Sequence, residues 1–254
     1  MAPGDAKILA KGLVLLDEIA RNIGGVSATE LADRVGIHKT SVYRYLNTLQ
    51  NAGYVRNDGD GSYGLGNKIL ELSSHLLRQM PLRETARSYL VALSNDTQKS
   101  VHLCVLDGTE VVYIDKVESQ RTLPIMSRIG SHAPAYCTSV GKALLSALPM
   151  DQLVAMLGDI GFERRTPNTI TSAVEFLDDI RRTQERRYAV DDEEHEEGIV
   201  CYAALVREYG GHSVGAISIT GLKRDYQEEQ ERERLLESLL KAAADISSAL
   251  GFVG

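Results

Sequence analysis

Apolar residues recur at helical spacing through the first eighty positions and give way to strand-like alternation near residue 100. Leu9, Leu13, Leu16 and Ala20 share one face of a helix expected over residues 6–21. Ser27-Ala28-Thr29-Glu30 has capping-box spacing, a hydroxyl on the N-cap and a carboxylate three residues later. The helix it opens carries Leu31, Ala32 and Val35 and stops at Gly36, a residue type that tolerates a left-handed turn. Another helix starts within residues 37–40. Val42, Leu46 and Leu49 form its inward stripe, and Thr40, Tyr43, Arg44 and Asn47 fall on roughly the opposite side.

Gly53-Tyr54-Val55-Arg56 then leads into the turn-forming run Asn57-Asp58-Gly59-Asp60-Gly61, and Ser62-Tyr63-Gly64-Leu65 returns. A helix-turn-helix trailed by a β-hairpin is a winged helix. The outward stripe of its second helix offers a cation, amides and hydroxyls, the groups that read base edges and phosphates in a major groove. The competing readings are a surface helix in an ordinary helical hairpin and a protein-contact module. Ile69, Leu72 and Leu76 align along a helix over residues 67–78, Met80-Pro81 breaks it, and a helical pattern resumes over 82–94. The expected division is a DNA-binding domain over residues 1–66, a linker helix over 67–80 and a second domain over 81–254.

In that second domain, residues 100–106 and 110–118 read as strands joined at Asp107-Gly108-Thr109. Helices are expected over 139–148, 151–157 and 172–187, and strands over 188–190, 201–206 and 213–220. A final helix over 226–250 carries Leu236, Leu239, Ala243, Ile246 and Leu250. Strands and helices mix without βαβ regularity, which predicts an antiparallel α+β domain.

The 254 residues are 43% hydrophobic and 25% charged, an ordinary globular balance that suits two domains. No apolar stretch approaches a membrane span, and the first residues lack a signal-peptide pattern, so a cytoplasmic protein is expected. The net charge of −7 divides unevenly: residues 1–78 carry 9 Lys+Arg against 8 Asp+Glu, leaving the acidity to the remainder. Phosphate attraction must therefore come from local placement of Lys39, Arg44 and Arg56. Cys104, Cys137 and Cys201 are far apart, with no Cys-x-x-Cys, and the 6 histidines show no ligand spacing, so neither a structural metal nor a disulfide framework nor a cofactor is expected.

Three segments of the second domain could build a pocket. Residues 130–143 place small residues and hydroxyls at a helix start, where free N–H groups favour an anion; plain capping by Thr138 or Ser139 is the alternative. Residues 191–201 begin with six carboxylates and one histidine in seven positions, a composition expected to form a solvated loop. Along residues 216–221, Ser218 and Thr220 fall on one strand face. An enzymatic alternative uses Cys201 as nucleophile or a metal at His195, although the apolar neighbours of Cys201 favour a packing role.

With these segments in this order, the chain resembles the IclR family of bacterial transcription regulators over nearly its whole length. The pieces that carry the resemblance are residues 40–49, Tyr63-Gly64-Leu65-Gly66, residues 138–144, residues 191–201 and residues 216–221. The resemblance implies a winged helix, a helical linker and a GAF-like α/β effector domain. It further implies dimers that assemble into tetramers, and a repressor of a catabolic operon controlled by a small organic acid rather than an enzyme. His38, Lys39, Thr40, Ser41, Tyr43, Arg44, Asn47 and Arg56 are the expected DNA contacts. Carried over position by position, the effector pocket falls near Ile125, Ala133, Ser139, Val140, Asp191, Ile199, Cys201, Ser218 and Thr220, with Arg128 a further candidate for pairing a carboxylate. Several family members have glycine and alanine where this chain has Ser139 and Val140, so its effector preference is its own.

Overall fold

The computed structural model of the chain describes residues 7–119 and 127–253. They fall into two compact units that divide between Gln79 and Met80. The first unit contains α1 (Lys7–Ala20), β1 (Val26–Ser27), α2 (Ala28–Val35), α3 (Lys39–Asn51), β2 (Val55–Asn57), β3 (Ser62–Leu65) and α4 (Asn67–Arg78). Ser27 caps α2 as its spacing predicts: its Oγ accepts from the Glu30 N–H at 3.2 Å, and the Glu30 carboxylate accepts from the Ser27 N–H at 2.9 Å. Two otherwise unpaired donors are thereby satisfied. Gly36 ends the helix at φ 63°, its N–H bonded to the Ala32 carbonyl.

The hairpin turn is held by side chains as well as by glycine. The Asn57 and Asp60 side-chain oxygens accept from the Gly59 and Ser62 N–H groups, each at 2.9 Å. Val26 and Ser27, expected only as a helix entry, also pair antiparallel with β3, which makes a three-stranded sheet in the order β1-β3-β2. Leu15, Ile19, Leu31, Val42, Leu46 and Val55 meet in the core of this unit. The expected inward stripe of α1 is wrong: Leu9 and Leu13 are 64% and 53% exposed, while Leu15 and Ile19 face the core. Because α1 is apolar on more than one side, periodicity alone did not select the face.

The second unit runs α5 (Pro81–Thr97), β4 (Ser100–Asp107), β5 (Glu110–Val117), β6 (His132–Pro134), a 3-10 turn (Ala135–Cys137), α6 (Ser139–Ser146), α7 (Met150–Met156), α8 (Ala173–Arg186), β7 (Ala189–Asp192), β8 (Ile199–Arg207), β9 (Ser213–Leu222), a second 3-10 turn (Lys223–Tyr226) and α9 (Glu229–Ala249). Its six strands form an antiparallel sheet in the order β6-β5-β4-β9-β8-β7, as the mixed pattern predicts. The edge strand β6 was not foreseen, and β7 begins one residue later than the expected strand. The last helix starts at Glu229 rather than near Tyr226, and Leu235 and Ala242 are buried on it where Leu236 is only partly so.

Alternation along the strands sorts the sheet into two different faces. Val101, Leu103, Ile217 and Ile219 point to α5 and α9 and pack with Leu90, Leu93, Leu235 and Leu239. The intervening positions are small or polar, and Cys104, Ala203 and Ala216 from them pack against Val140, Ala143 and Phe176 on the α6 and α8 side. Register then aligns polar residues across strands: Thr220 lies opposite both Ser100 and Cys201, Cys201 opposite Asp191, and Ser218 opposite His102. Short side chains in these rows leave space beneath the start of α6. No helix among the described residues is long and apolar enough to cross a membrane.

Candidate DNA-contacting face and small-molecule cavity

On α3 the two stripes separate as the sequence predicts. Val42 and Leu46 are 0% exposed and Tyr43 is 44% exposed. Thr40, Arg44 and Asn47 are exposed beside it, as are His38 and Lys39 at the helix start, while Ser41 is half-buried. His38 Nδ1 lies 3.0 Å from Thr40 Oγ1, and the Arg44 guanidinium sits 5.5 Å from the centre of the Tyr45 ring. Neither Lys39 nor Arg44 has an ion-pair partner among the described residues, so both cations are available to phosphate or base acceptors.

Arg56 is differently placed. Its Nε donates to Asp58 Oδ1 at 2.6 Å and its Nη1 to the Leu65 carbonyl at 3.1 Å. The guanidinium lies flat on Gly64, where a Cβ would come within 2.9 Å of it. Arg56 thus clasps the hairpin shut, and contact with a phosphate would compete with Asp58.

In the second unit a cavity of about 180 Å3 lies between the sheet and the start of α6. An engineered cavity of ~150 Å3 accommodates benzene, so this one suits a ligand of roughly six to ten non-hydrogen atoms. Among the sequence-predicted pocket residues, Ala133, Ser139, Val140, Asp191, Ile199, Cys201, Ser218 and Thr220 line it. Arg128 does not; it is exposed, and its backbone N–H bonds Ser131 Oγ at 3.2 Å. Ile125 lies outside the described residues.

Lining residues that sequence reasoning missed include His102 and Tyr113, while Thr138 and His195 fall in the segments expected to build a pocket but were read there as a cap and as a metal ligand. His102 was findable, because Ser100, His102 and Cys104 alternate with Val101, Leu103 and Val105 as Ser218 and Thr220 do with Ile217 and Ile219. Tyr113 and Ser127 come from segments whose placement only the folded sheet defines, whereas Ser131, His132 and Glu196 lie within the expected segments.

The electrostatics of the cavity are those of a neutral to acidic site. Burial, aided by the charge of Lys116, pushes His102 down to about 3, so the ring is neutral; its Nε2 is 2.8 Å from Ser127 Oγ and its Nδ1 3.3 Å from Thr220 Oγ1. Burial, followed by the Arg165 charge, pushes His195 down to about 4. Burial and the neighbouring Glu194 push Asp191 up to about 7 against the opposing charge of Lys142. Asp191 Oδ1 accepts from the Glu194 and His195 N–H groups at 2.8 and 3.3 Å.

The acidic run is therefore not the solvated loop its composition suggests: Asp191 and Glu194 are buried. Asp191 is met by two backbone N–H groups of its own loop, and Glu194 by Lys142 on α6, only 1% exposed, whose Nζ lies 2.5 Å from Glu194 Oε1 and 2.8 Å from Asp179 Oδ2 on α8. Ion pairing makes the burial of these charges tolerable. Burial, then the Asp191 charge, raises the Cys201 thiol well above its ordinary range, the opposite of nucleophile activation. Among the described residues no group of three or more His, Cys, Asp or Glu is arranged to hold a metal ion around His195.

Comparison with known proteins gives a consistent result for both units. Residues 74–248 match the family described as bacterial transcriptional regulator IclR C-terminal, and residues 8–59 match the IclR helix-turn-helix domain. The chain is 35% identical over 228 residues to the HTH-type transcriptional regulator KdgR of Escherichia coli, covering 89% of this chain and 86% of the relative. It is 31% identical over 253 residues to the transcriptional repressor IclR of Escherichia coli, covering 98% and 92%. The crystal structure of the Thermotoga maritima IclR is similar at a TM-score of 0.81 and 34% identity, covering 97% of this chain and 99% of that one.

Proposed function

The chain belongs to the IclR family of bacterial transcriptional regulators, and on that premise we propose that it represses a catabolic operon until a small organic acid occupies the second-unit cavity. The observation that carries the DNA-binding half is the orientation of α3, with Val42 and Leu46 inward and Tyr43 outward beside two unpaired cations. His38, Lys39, Thr40, Ser41, Tyr43, Arg44 and Asn47 are the contacts we assign, with Arg56 acting through the hairpin it holds. Such a protein works in the cytoplasm, where the operator is. A base or phosphate contact of this kind contributes roughly 1–3 kcal/mol. Arg44→Ala is accordingly expected to weaken binding to a duplex selected from a random library by about tenfold or more and to flatten its salt dependence. Unchanged affinity and slope in a fluorescence-anisotropy titration would remove that role.

A dimer that assembles further into a tetramer fits the second element of this reading, with α4 as the linker between the two units. Ile8, Leu9 and Leu13 form an exposed apolar stretch of α1 that a second copy could cover. Sedimentation of the free chain as a monomer would exclude it. DNA binding and ligand binding are then coupled by whatever difference in affinity the ligand has for the two arrangements of the assembly.

The effector half rests on the cavity and its free hydroxyls. Ser139 and Ser218 are buried, line it and make no side-chain hydrogen bond among the described residues. A thermal-shift panel of organic acids that includes glycerate and 4-hydroxybenzoate should identify at least one that stabilises the chain. Ser218→Ala should reduce that stabilisation, corresponding to a loss of about 0.5–1.5 kcal/mol of binding for one neutral hydrogen bond. A panel in which no acid raises the melting temperature would mark the cavity as packing space alone.

A further inference from the structure

We propose that the cavity takes up its organic acid together with one proton, held on Asp191, so that the ligand carboxylate and the Asp191 carboxyl share a single negative charge. The inference rests on the reading of this cavity as the effector site and adds the charge state in which the ligand binds.

The cavity holds places for an anion and no cation to balance a second one. Thr138 Oγ1 donates to the Pro134 carbonyl at 2.9 Å and makes no cap on α6, so the first N–H groups of that helix carry no side-chain acceptor. Beside them the Ser139 and Ser218 hydroxyls, each more than nine-tenths buried, are without partners among the described residues. These donors suit a carboxylate. None of the residues lining the cavity is Lys or Arg. Two ammonium groups lie behind the lining: Lys142 is committed to Glu194 and Asp179, and Lys116 to the Ser127 carbonyl and Glu118.

Asp191 enters the same small space. Its Oδ1 is taken by the two backbone N–H groups of its own loop, and no protein donor reaches its second oxygen among the described residues. Two ionised carboxylates enclosed in about 180 Å3 would repel strongly, whereas a carboxylic acid facing a carboxylate is a strong hydrogen-bond donor to it.

Most titratable groups around Asp191 are held in one charge state by burial or pairing; His132 on β6 also lines the cavity, its Nε2 3.5 Å from Asp107 Oδ2, and the Asp191→Asn variant separates it from Asp191. From β4, His102 is neutral, pushed down to about 3 by burial, and from β5 the Tyr113 phenol is pushed up by burial. From β8 and the 3-10 turn, burial raises the Cys201 and Cys137 thiols, the latter to about 12. From α6 comes only the paired Lys142, and the loop itself contributes Glu194, the neutral His195 and Glu196. Asp191, pushed up to about 7 by burial and Glu194, is poised to accept the proton from solvent when the ligand arrives.

The sign follows directly. Ordinary carboxylic acids titrate near 4, so the free ligand is ionised throughout the range from pH 6 to 8. Binding requires protonated Asp191, so affinity is full below its pKa and falls about tenfold for each unit above it. Isothermal titration of the full chain with glycerate and with 4-hydroxybenzoate, at pH 6 and pH 8, tests this. The wild-type dissociation constant is expected to rise about tenfold between the two, with about one proton taken up at pH 8 in buffers of different ionisation enthalpy. Asp191→Asn should bind with nearly the same affinity at both pH values. Binding by the wild type that is flat with pH and releases or takes up no proton overturns the proposal and leaves the effector site standing. Binding of no acid of the thermal-shift panel at either pH overturns both. Should Asp191→Asn fail to fold, the buffer dependence of the His132→Gln variant decides: proton uptake that persists there supports Asp191, and uptake that is lost overturns the proposal.

Discussion

Replacing Lys142 by alanine is expected to destabilise the second unit by about 3–5 kcal/mol. The ammonium is buried between Asp179 and Glu194, and removing it leaves Glu194 buried with no cation among the described residues and Asp179 with only Arg182 and Arg186, at 3.3 and 3.6 Å. The loss is mainly the cost of those stranded charges, since a buried pair contributes less than its removal costs. Neutralising the stranded partners should therefore recover most of the stability, in the triple variant Lys142→Met with Asp179→Asn and Glu194→Gln. The deficit also depends on pH. In the native chain burial raises Asp179, yet Lys142, Arg186 and Arg182 outweigh it and hold its carboxyl below the usual range. Its contribution is present above the unfolded pKa and is lost as pH falls through the folded one. Without Lys142 both carboxyls rise, so the variant's deficit is largest at pH 8 and shrinks toward pH 5. Urea midpoints at the two pH values measure this, and an equal deficit at both would show that lost packing, not charge, was responsible.

Gly141→Ala should cost at least about 3 kcal/mol, the upper range for overpacking, because the new methyl group has nowhere to go. A Cβ at Gly141 would lie 2.2 Å from the Ala135 carbonyl oxygen and 2.3 Å from the Ala135 Cα. Both are backbone atoms of the 3-10 turn that packs against α6, and they cannot rotate away. Relief requires α6 to shift, which would carry Ser139 and Val140 out of the cavity wall, so ligand binding should fall with stability. Gly161→Ala is the control, since a Cβ there meets nothing within 4 Å and positive φ is not required. A Gly141→Ala chain that melts within about 1 °C of the native one would refute the close packing of turn against helix.

The parts of this fold that were legible in the sequence are those in which local chemistry and packing agree. Ser27 and Glu30 make the same capping box in any context that allows α2, and Gly36 ends it for reasons internal to the chain. The outward face of α3 was readable because its apolar residues fall on one side only. Helix α1 has apolar residues on more than one side, and the choice of Leu15 and Ile19 over Leu9 and Leu13 is made by what lies opposite them. The cavity was legible at Ser218 and Thr220 through strand alternation, and at Ser139 and Asp191 through resemblance. Burial of Glu194 was not legible, because the cation that permits it stands about fifty positions earlier. No local window joins Lys142 to that acidic run. Arg128 had the right charge to be a ligand partner, but charge says nothing about direction, and it faces away.

Strand β9 separates two demands that usually compete. Its isoleucines at 217 and 219 answer to the interior shared with α5 and α9, and its hydroxyl residues at 218 and 220 answer to whatever molecule the opposite side admits. Because neighbouring positions never share a side, drift in chemical taste at 218 or 220 leaves the oily layer behind them undisturbed. A scaffold arranged this way can acquire a new inducer by single substitutions without first accumulating spare stability.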